Sequence, residues 1–459
     1  MDVHKILSER DETLNYAAQK AIVFLNEAQK RAIEPTQEAL KNLSLLDQPF
    51  PETPISSIKV IEELEDIGSK GAMITISPRF FGFVTGANLP VTVAAQWLAA
   101  AWDQLPNMAV LSPLACKLEQ VAEKWLVDVL HLPKETRCSF VTGTTTADMV
   151  CLLGARNHVL EQYGWDIQTN GLFGAPKIRV LVGEEVHTTM LRALRAIGIG
   201  NAQIEKIPVD ANGAIDASKL PEFRDEPTII CLQAGNVDSG AFDPFDVIIE
   251  KAKKYNAWVH IDGAFGLWAA SNLKLSYLMK GFEKADSWAT DAHKWLNVPY
   301  DSGMAFYKDE NIIKKALTLK GNYLVQGNDD PMNRTLETSR RARGTEVWAA
   351  LKSLGRQGVS DLIGKSCDLA KYFERRLREE GFEILNKVEL NQVMVSFGSD
   401  EKTKAVIKAI QKEGTAWFGG TNWHGREAMR ISTVGWSTTK EDIDMSMEAL
   451  LKVIRQLDS

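Results

Sequence analysis

One stretch decides the fold: Ser287-Trp288-Ala289-Thr290-Asp291-Ala292-His293-Lys294-Trp295-Leu296-Asn297-Val298-Pro299-Tyr300-Asp301-Ser302-Gly303. A mostly apolar segment ends in a polar turn that presents His293 and Lys294, and two apolar residues follow at once. Desolvation disfavours the charged form of an amine, and an amine that attacks an aldehyde needs its uncharged form. The alternative is a solvated lysine beside a core tryptophan, and this stretch alone does not separate the two.

An upstream stretch supplies a carboxylate: Tyr255-Asn256-Ala257-Trp258-Val259-His260-Ile261-Asp262-Gly263-Ala264-Phe265-Gly266. It predicts a buried strand that ends at Asp262, followed by a turn of small residues that leaves room for a flat ring. A lysine for a Schiff base and an aspartate for a pyridinium nitrogen are the groups that pyridoxal phosphate requires of a protein.

These two stretches resemble the pyridoxal-phosphate-dependent group II amino-acid decarboxylases, the relatives of glutamate and aromatic-L-amino-acid decarboxylases. The resemblance extends over about residues 75–450. It implies an α/β, aspartate-aminotransferase-like (fold type I) architecture with a mostly parallel central sheet, a smaller C-terminal α/β domain and an N-terminal helical arm. It also implies decarboxylation of an L-amino acid to the amine and carbon dioxide through a Lys294 Schiff base, in a homodimer.

Composition narrows the class of protein. The chain has 459 residues, a formal net charge of −7 and no run of Lys and Arg, so we expect no nucleic-acid partner. No apolar stretch is long enough to span a bilayer, and the N-terminus lacks the apolar core of a signal peptide. The five cysteines are scattered without a C-x-x-C pair. We therefore expect a cytoplasmic protein with neither a membrane nor a metal partner.

The patterning along the chain predicts three parts. Residues 1–75 form a helical arm, with Thr36 as a helix cap, and a proline-marked linker. Residues 76–325 form the large cofactor-binding domain, and residues 326–459 form the small C-terminal domain. Within the last part we expect an exposed loop to Arg334 and then separate helices over 339–354 and 361–379.

A glycine and three threonines, Gly143-Thr144-Thr145-Thr146, stand between a predicted strand and a predicted helix. Free backbone N–H groups and the positive end of the helix dipole favour an anion there. A hydroxyl-rich helix cap is the alternative reading of the same residues. By resemblance, Gly143, Thr144 and Thr145 hold the cofactor phosphate.

Alternation of strands and helices predicts right-handed crossovers and a sheet whose carboxyl ends converge on one crevice. Five positions fall at such ends: Gly143, His187, Asn236, Asp262 and Lys294. A histidine at a helix start is often only a polar cap. The resemblance instead places His187 and Ala264 on the two faces of the ring, and it assigns Asn236, Asp291 and His293 to the cofactor site.

Three further residues are candidates for contact with the substrate. By resemblance, Phe83 and Val84 line the pocket for the substrate side chain, although an aromatic cluster in a core is equally consistent with the sequence. Arg430 enters an apolar strand and suits a bidentate grip on a carboxylate, with a structural ion pair as the alternative. The aromatic residues near Phe83 favour an aromatic or apolar substrate.

The chain departs from the family pattern at three places. Asp291 stands where relatives often have Asn, and an anion beside a phosphate is unfavourable. Asn236 stands where relatives often have Thr. No Tyr occurs between Leu324 and Ser339, where many relatives carry the residue thought to protonate the carbanion. His187 then becomes a candidate proton donor.

These departures keep other functions open. Aminotransfer, carbon–carbon lysis or oxidative deamination would use the same cofactor, and a cofactor-binding protein without catalysis would use it differently. A nicotinamide dehydrogenase is disfavoured, because Gly198-Ile199-Gly200 follows a predicted helix and Gln203 stands in place of the third glycine.

Overall fold

The computed structural model describes residues 3–318, 327 and 329–459. The helices of this part are α1 (Val3–Glu27), α2 (Gln37–Asn42), α3 (Ser57–Gly71), α4 (Pro90–Trp102), α5 (Pro113–Val129), α6 (Thr144–Glu161), α7 (Ile167–Asn170), α8 (Thr188–Ala196), α9 (Phe245–Lys253), α10 (Ala292–Trp295), α11 (Glu310–Leu317), α12 (Gly344–Glu379), α13 (Asp400–Glu413) and α14 (Lys440–Asp458). The strands are β1 (Arg137–Val141), β2 (Arg179–Gly183), β3 (Ile204–Ile207), β4 (Thr228–Gln233), β5 (Trp258–Asp262), β6 (Ser287–Asp291), β7 (Gly303–Tyr307), β8 (Glu383–Ile384), β9 (Gln392–Ser396), β10 (Gly419–Trp423) and β11 (Arg426–Ser432).

The larger sheet has seven strands in the order β1-β7-β6-β5-β4-β2-β3. Strands β3, β2, β4, β5 and β6 run parallel, and β7 is antiparallel to both of its neighbours, so β1 points the same way as β6. Every residue of β4, β5, β6 and β7 is buried, as expected for strands covered on both faces. The predicted α/β fold with a mostly parallel central sheet is confirmed.

The direction of these strands brings five chain turns to one edge of the sheet. The segments that follow β1, β2, β4, β5 and β6 all leave from carboxyl ends, and open α/β sheets bind their ligands at such ends. Pairing of Asp262 with Ala289 across β5 and β6 fixes the height of the carboxylate relative to the turn that carries Lys294.

The smaller sheet is antiparallel, in the order β10-β11-β9-β8. Its core joins residues of β9 and β11 to α12, α13 and α14. Phe81, which lies far upstream in the chain, stacks on Phe418 with ring centroids 5.4 Å apart. The segment that carries the predicted substrate residues therefore packs against the C-terminal layer.

Helix caps form near both ends of the chain, and the cap predicted at Thr36 is confirmed. The Thr36 side chain accepts a hydrogen bond from the Ala39 N–H, and Thr439 forms a capping box with Asp442 at the start of α14. Among the described residues, none of the helices combines the length and the apolar content that a bilayer crossing requires.

Of two local predictions in the C-terminal third, one is confirmed and one is wrong. The two helices expected over 339–354 and 361–379 are present as the two helical segments of α12, which a non-helical Gly355 with a φ of 61°, open to glycine, separates. Residues Pro331–Arg334 form a buried 3₁₀ turn rather than an exposed loop, because the Arg334 guanidinium pairs with Glu123 at 3.1 Å. The predicted boundary between residues 325 and 326, and the loop from 322 to 326, lie outside the described residues.

Candidate active site

A cavity of about 740 Å³ opens at the carboxyl ends of the parallel strands. Twelve of the thirteen residues predicted for the site line it: Phe83, Val84, Gly143, Thr144, Thr145, His187, Asp262, Ala264, Asp291, His293, Lys294 and Arg430. Residues that are far apart in the chain, from Phe83 to Arg430, therefore line the same cavity.

Lys294 sits on α10, a single helical turn directly after β6. Its side chain is 20% exposed, and its Nζ lies 3.1 Å from Asp291 Oδ2. Trp295 and Leu296, which follow it, are buried under the turn. The amine is therefore partly desolvated, as its neighbours in sequence predict, but it is also paired with a carboxylate three residues earlier.

Asp262 is the last residue of β5 and is buried. Its Oδ1 accepts a hydrogen bond from the Ala264 N–H at 3.1 Å, which orients the carboxyl group. Burial raises the pKa of Asp262, and electrostatic interaction with the basic side chains of His187 and Lys294 opposes that rise. A cationic ring nitrogen in the cavity would also lower the pKa of Asp262.

His187 is the N-cap of α8. Its Nδ1 accepts a hydrogen bond from the Thr189 N–H at 3.3 Å and lies 2.5 Å from Thr189 Oγ1. Because Nδ1 acts as an acceptor, the proton of the neutral ring is assigned to Nε2. Burial lowers the pKa of His187, which keeps the imidazole neutral near pH 7.

The start of α6 forms an open cradle. Gly143 caps this 18-residue helix without a side-chain hydrogen bond, and the Thr144 N–H donates to Asp291 Oδ1 at 2.7 Å. Thr144 Oγ1 is buried and has no hydrogen-bond partner among the described residues. A Cβ at Gly143 would lie 3.4 Å from His293 Cε1 and 3.5 Å from Asp291 Oδ1, so it would fill part of this space.

Arg430 reaches the cavity from β11. Its Nη1 donates to the Val237 carbonyl at 3.2 Å and pairs with Asp238 Oδ1 at 3.4 Å. Phe83 and Val84 also line the cavity, and both have positive φ values, of 55° and 56°. Such a backbone is strained for residues with a side chain, so the surrounding packing must hold this segment in place.

Asn236, which was predicted for the cofactor site, is the exception among the predicted residues, because it does not line the cavity. Its Oδ1 accepts the N–H groups of Asp238 and Ser239 at 2.9 and 3.1 Å, and its Nδ2 donates to the Glu185 carbonyl. The amide is occupied by the turn after β4 and does not line the cavity. Turn formation by Asn side chains is the physical reason.

Sequence reasoning missed three residues that shape the site. Gln233 Oε1 accepts the His187 N–H at 3.3 Å, Thr189 orients the imidazole, and Asp238 pairs with Arg430. Gln233 and Asp238 belong to the strand end and turn that already carried Asn236. Their position at and just after the end of β4 is the sequence signal that points to these two residues, and both line the cavity.

The groups around the cavity fit pyridoxal phosphate. An unpartnered buried hydroxyl and a glycine lie at the start of a long helix, as a phosphate needs, and a buried carboxylate and an amine face the same space. The arrangement is that of a pyridoxal phosphate enzyme with the aspartate-aminotransferase-like fold.

Comparison with known proteins narrows this class. Residues 38–398 match the pyridoxal-dependent decarboxylase conserved domain. The chain is 27% identical to tryptophan decarboxylase 1 of Oryza sativa subsp. japonica over 433 residues, which cover 85% of this chain and 83% of that protein. It is 26% identical to an aromatic-L-amino-acid decarboxylase of Bacillus atrophaeus, with 82% of each chain covered.

Solved structures agree on the fold. The crystal structure of Oryza sativa TDC with PLP and tryptamine superposes with a TM-score of 0.90 at 22% identity, covering 98% of each chain. The chain belongs to the pyridoxal-dependent decarboxylase family. It is a pyridoxal phosphate-dependent carboxy-lyase of amino acids.

Proposed function

We propose that this enzyme decarboxylates an aromatic L-amino acid, with Lys294, Asp262 and His187 as its catalytic residues. The observation that carries the proposal is that these three side chains line one cavity in a chain of the decarboxylase family. The named relatives that act on tryptophan and other aromatic amino acids support the substrate class.

Pyridoxal phosphate, when bound, supplies the electron sink that stabilises negative charge at the substrate Cα. The side chains of the protein position the cofactor and the substrate and stabilise the charges that form on them. Lys294 presents its amine to the cavity, and the Asp262 carboxylate faces the same space at the end of β5, where it favours a protonated ring nitrogen. Such preorganised charge is usually a large catalytic contribution, on the order of several kcal/mol.

His187 contributes a flat ring and a proton. Its Nε2–H is set by the two contacts that Nδ1 makes with Thr189. Because no Tyr occurs between Leu324 and Ser339, we assign to His187 the donation of a proton to the substrate carbon. Ala264 borders the cavity as the small residue that leaves room for the opposite face of a ring.

Gly143, Thr144 and Thr145 are proposed to bind the phosphate through the start of α6, with His293 beside them. Arg430 is proposed to bind a carboxylate of the substrate. Its Nη1 contacts Val237 and Asp238, and we assign the carboxylate to its remaining donors, Nε and Nη2. Phe83 supplies an aromatic surface at the entrance.

A second reaction on the same cofactor has one specific observation in its favour. The sequence between Leu324 and Ser339 lacks the Tyr of many relatives. Slower protonation at carbon after carbon dioxide has left would admit dioxygen as an oxidant, so that the amino acid, dioxygen and water give carbon dioxide, ammonia, hydrogen peroxide and an aldehyde. A relative that is 27% identical over 74% of this chain is named phenylacetaldehyde synthase, from Petunia hybrida.

The proposed assembly is a homodimer. Exposed apolar residues concentrate on α4 and the segment after it: Val91, Trp97, Leu98, Trp102, Val110, Leu111 and Leu114. Helix α1 adds Val3, Ile6, Leu7, Leu14, Ile22 and Val23. Apolar surface of this extent on a monomer is typical of an interface, and a second copy of the chain would cover it.

The proposed compartment is the cytoplasm, and the proposed domain boundaries stay those of the sequence. All five cysteines are free and buried, which suits a reducing environment.

The test is a carbon dioxide release assay across the proteinogenic amino acids, with pyridoxal phosphate supplied and with amine, aldehyde and peroxide measured together. We expect carbon dioxide and the matching amine from an aromatic amino acid. Lys294→Ala should abolish both the turnover and the visible absorbance of the bound cofactor. Aldehyde with peroxide would favour the oxidative reaction, and turnover by Lys294→Ala would refute the assignment of the lysine.

A further inference from the structure

The carboxylate of Asp291 makes three contacts at the base of the cavity. Its Oδ1 accepts the Thr144 N–H at 2.7 Å, and its Oδ2 lies 3.1 Å from Lys294 Nζ and 3.5 Å from His293 Nε2. The side chain is only 4% exposed. The group is therefore an internal anion held at the start of a long helix, beside the amine of the same site.

The Asp291 carboxylate accepts a backbone hydrogen bond that a bound phosphate would otherwise accept. The Thr144 N–H lies in the first turn of α6, where backbone N–H groups have no acceptor within the helix. It donates its hydrogen bond to Asp291 Oδ1 instead. A phosphate bound by Gly143, Thr144 and Thr145 would lie next to the same carboxylate. Two anions in a buried site repel each other strongly, because little water is present to screen them.

The surrounding groups do not neutralise a second anion. Lys294 and His293 face Asp291 from α10, Asp262 acts on it from the end of β5, Asp148 acts from α6, and Tyr300 lies in the following turn. Burial lowers the pKa of His293, so this ring adds no full charge near pH 7. The other basic side chain among these groups, Lys294, already pairs with Asp291.

We propose that Asp291 competes with the cofactor phosphate and takes up a proton from solvent when the phosphate binds. This inference rests on the proposed function of the site. In the free enzyme the carboxylate satisfies the helix start and the Lys294 amine. In the complex its protonated form releases the Thr144 N–H to a phosphate oxygen and no longer repels that anion.

On binding pyridoxal phosphate the wild type takes up one proton more than a variant without the Asp291 carboxyl group, so its affinity relative to that variant falls as pH rises through the neutral range. Asp291→Asn keeps an oxygen that can accept the Thr144 N–H but carries no charge. It should bind the cofactor more tightly and lose this part of the pH dependence.

The experiment measures dissociation constants for pyridoxal phosphate and for pyridoxal, which lacks the phosphate, by absorbance titration at pH 6.5–8.5. For Asp291→Asn we expect binding of pyridoxal phosphate about tenfold tighter or more at pH 8 and little change for pyridoxal. Asp148→Asn is the matched control, because it removes a nearby carboxyl group that does not line the cavity. It should leave both affinities near those of the wild type.

Calorimetry in two buffers of different ionisation enthalpy supplies a second readout. The wild type should take up about one proton more than Asp291→Asn on binding pyridoxal phosphate. Asp291→Ser replaces the amide variant if that protein does not accumulate. Equal affinity or equal proton uptake in the wild type and the variant would overturn the inference. Failure of every protein to bind pyridoxal phosphate would instead overturn the proposed function.

Discussion

Asp148 and His260 form a hydrogen-bonded pair behind the cavity, with Oδ1 and Nε2 3.1 Å apart and both side chains fully buried. His260 Nδ1 lies 2.9 Å from Ser287 Oγ, which also accepts a hydrogen bond from Trp258 Nε1. Burial raises the pKa of Asp148 well above its usual range and lowers the pKa of His260 to about 3. The pair therefore holds one proton across the middle of the pH range.

This pair predicts an unusual pH dependence of stability. From about pH 4 to 6.5 the unfolded chain also holds one proton on these two residues, on the histidine, so their contribution to the unfolding free energy is flat. In Asp148→Asn the folded His260 is neutral while the unfolded one is charged. The unfolding free energy should then rise with pH by about 1.4 kcal/mol per unit more than in the wild type.

Urea unfolding at several pH values between 4.5 and 6, at fixed cofactor concentration, measures this difference. His260→Gln is the matched variant and should shift the slope the other way, because the folded Asp148 keeps a proton that the unfolded carboxylate has lost. Above pH 6.5 the wild type should lose stability as pH rises, and Asp148→Asn should not. Parallel stability curves for all three proteins would contradict the assignment of one shared proton.

Replacement of His187 tests the source of the proton. His187→Phe keeps an aromatic ring of similar size but removes Nε2–H, so we expect cofactor affinity to stay within a few-fold while the rate of amine formation falls about 10²- to 10⁴-fold. Thr189→Val is the milder control, since it removes only the hydroxyl beside Nδ1. We expect it to lower the rate by about tenfold or less. An unchanged rate in His187→Phe would exclude the histidine as donor.

The Arg430 and Asp238 pair predicts opposite changes in substrate affinity. Arg430→Met should raise KM for the amino acid by about 10- to 100-fold, because a charge-assisted contact is lost. Asp238→Asn should lower KM, since it frees the guanidinium from its present partner at 3.4 Å. Steady-state kinetics with the substrate found in the release assay measures both values. A rise of KM in both variants would assign the pair a purely structural role.

Helix α4 provides a test of the homodimer. Leu98 and Trp102 are one helical turn apart, and both are exposed in the single chain. Leu98→Glu should shift the protein toward monomer in sedimentation velocity, because it places a charge in an apolar contact. Phe173→Glu is the matched control, as Phe173 is 99% exposed and lies away from α4 in the chain. Dissociation by both variants, or by neither, would count against the α4 surface.

The sequence by itself determined the family, the strand-and-helix order and the segments that carry the site. Those signals are local: a strand that ends in Asp262, a turn that presents Lys294, and a glycine before a helix each follow from neighbouring residues. The helix cap at Thr36 was predicted for the same reason.

Only the tertiary structure decided which atoms meet. The Thr144 N–H and Asp291 Oδ1 are 147 residues apart in the chain, and Arg430 and Asp238 are 192 apart. Asn236 lies at the predicted strand end, but its side-chain amide forms hydrogen bonds within its own turn. Asp238, two residues later, pairs with Arg430. Hydrogen bonds and ion pairs depend on distance and direction between atoms of separate elements. The periodicity and spacing of residues along the chain do not predict those distances.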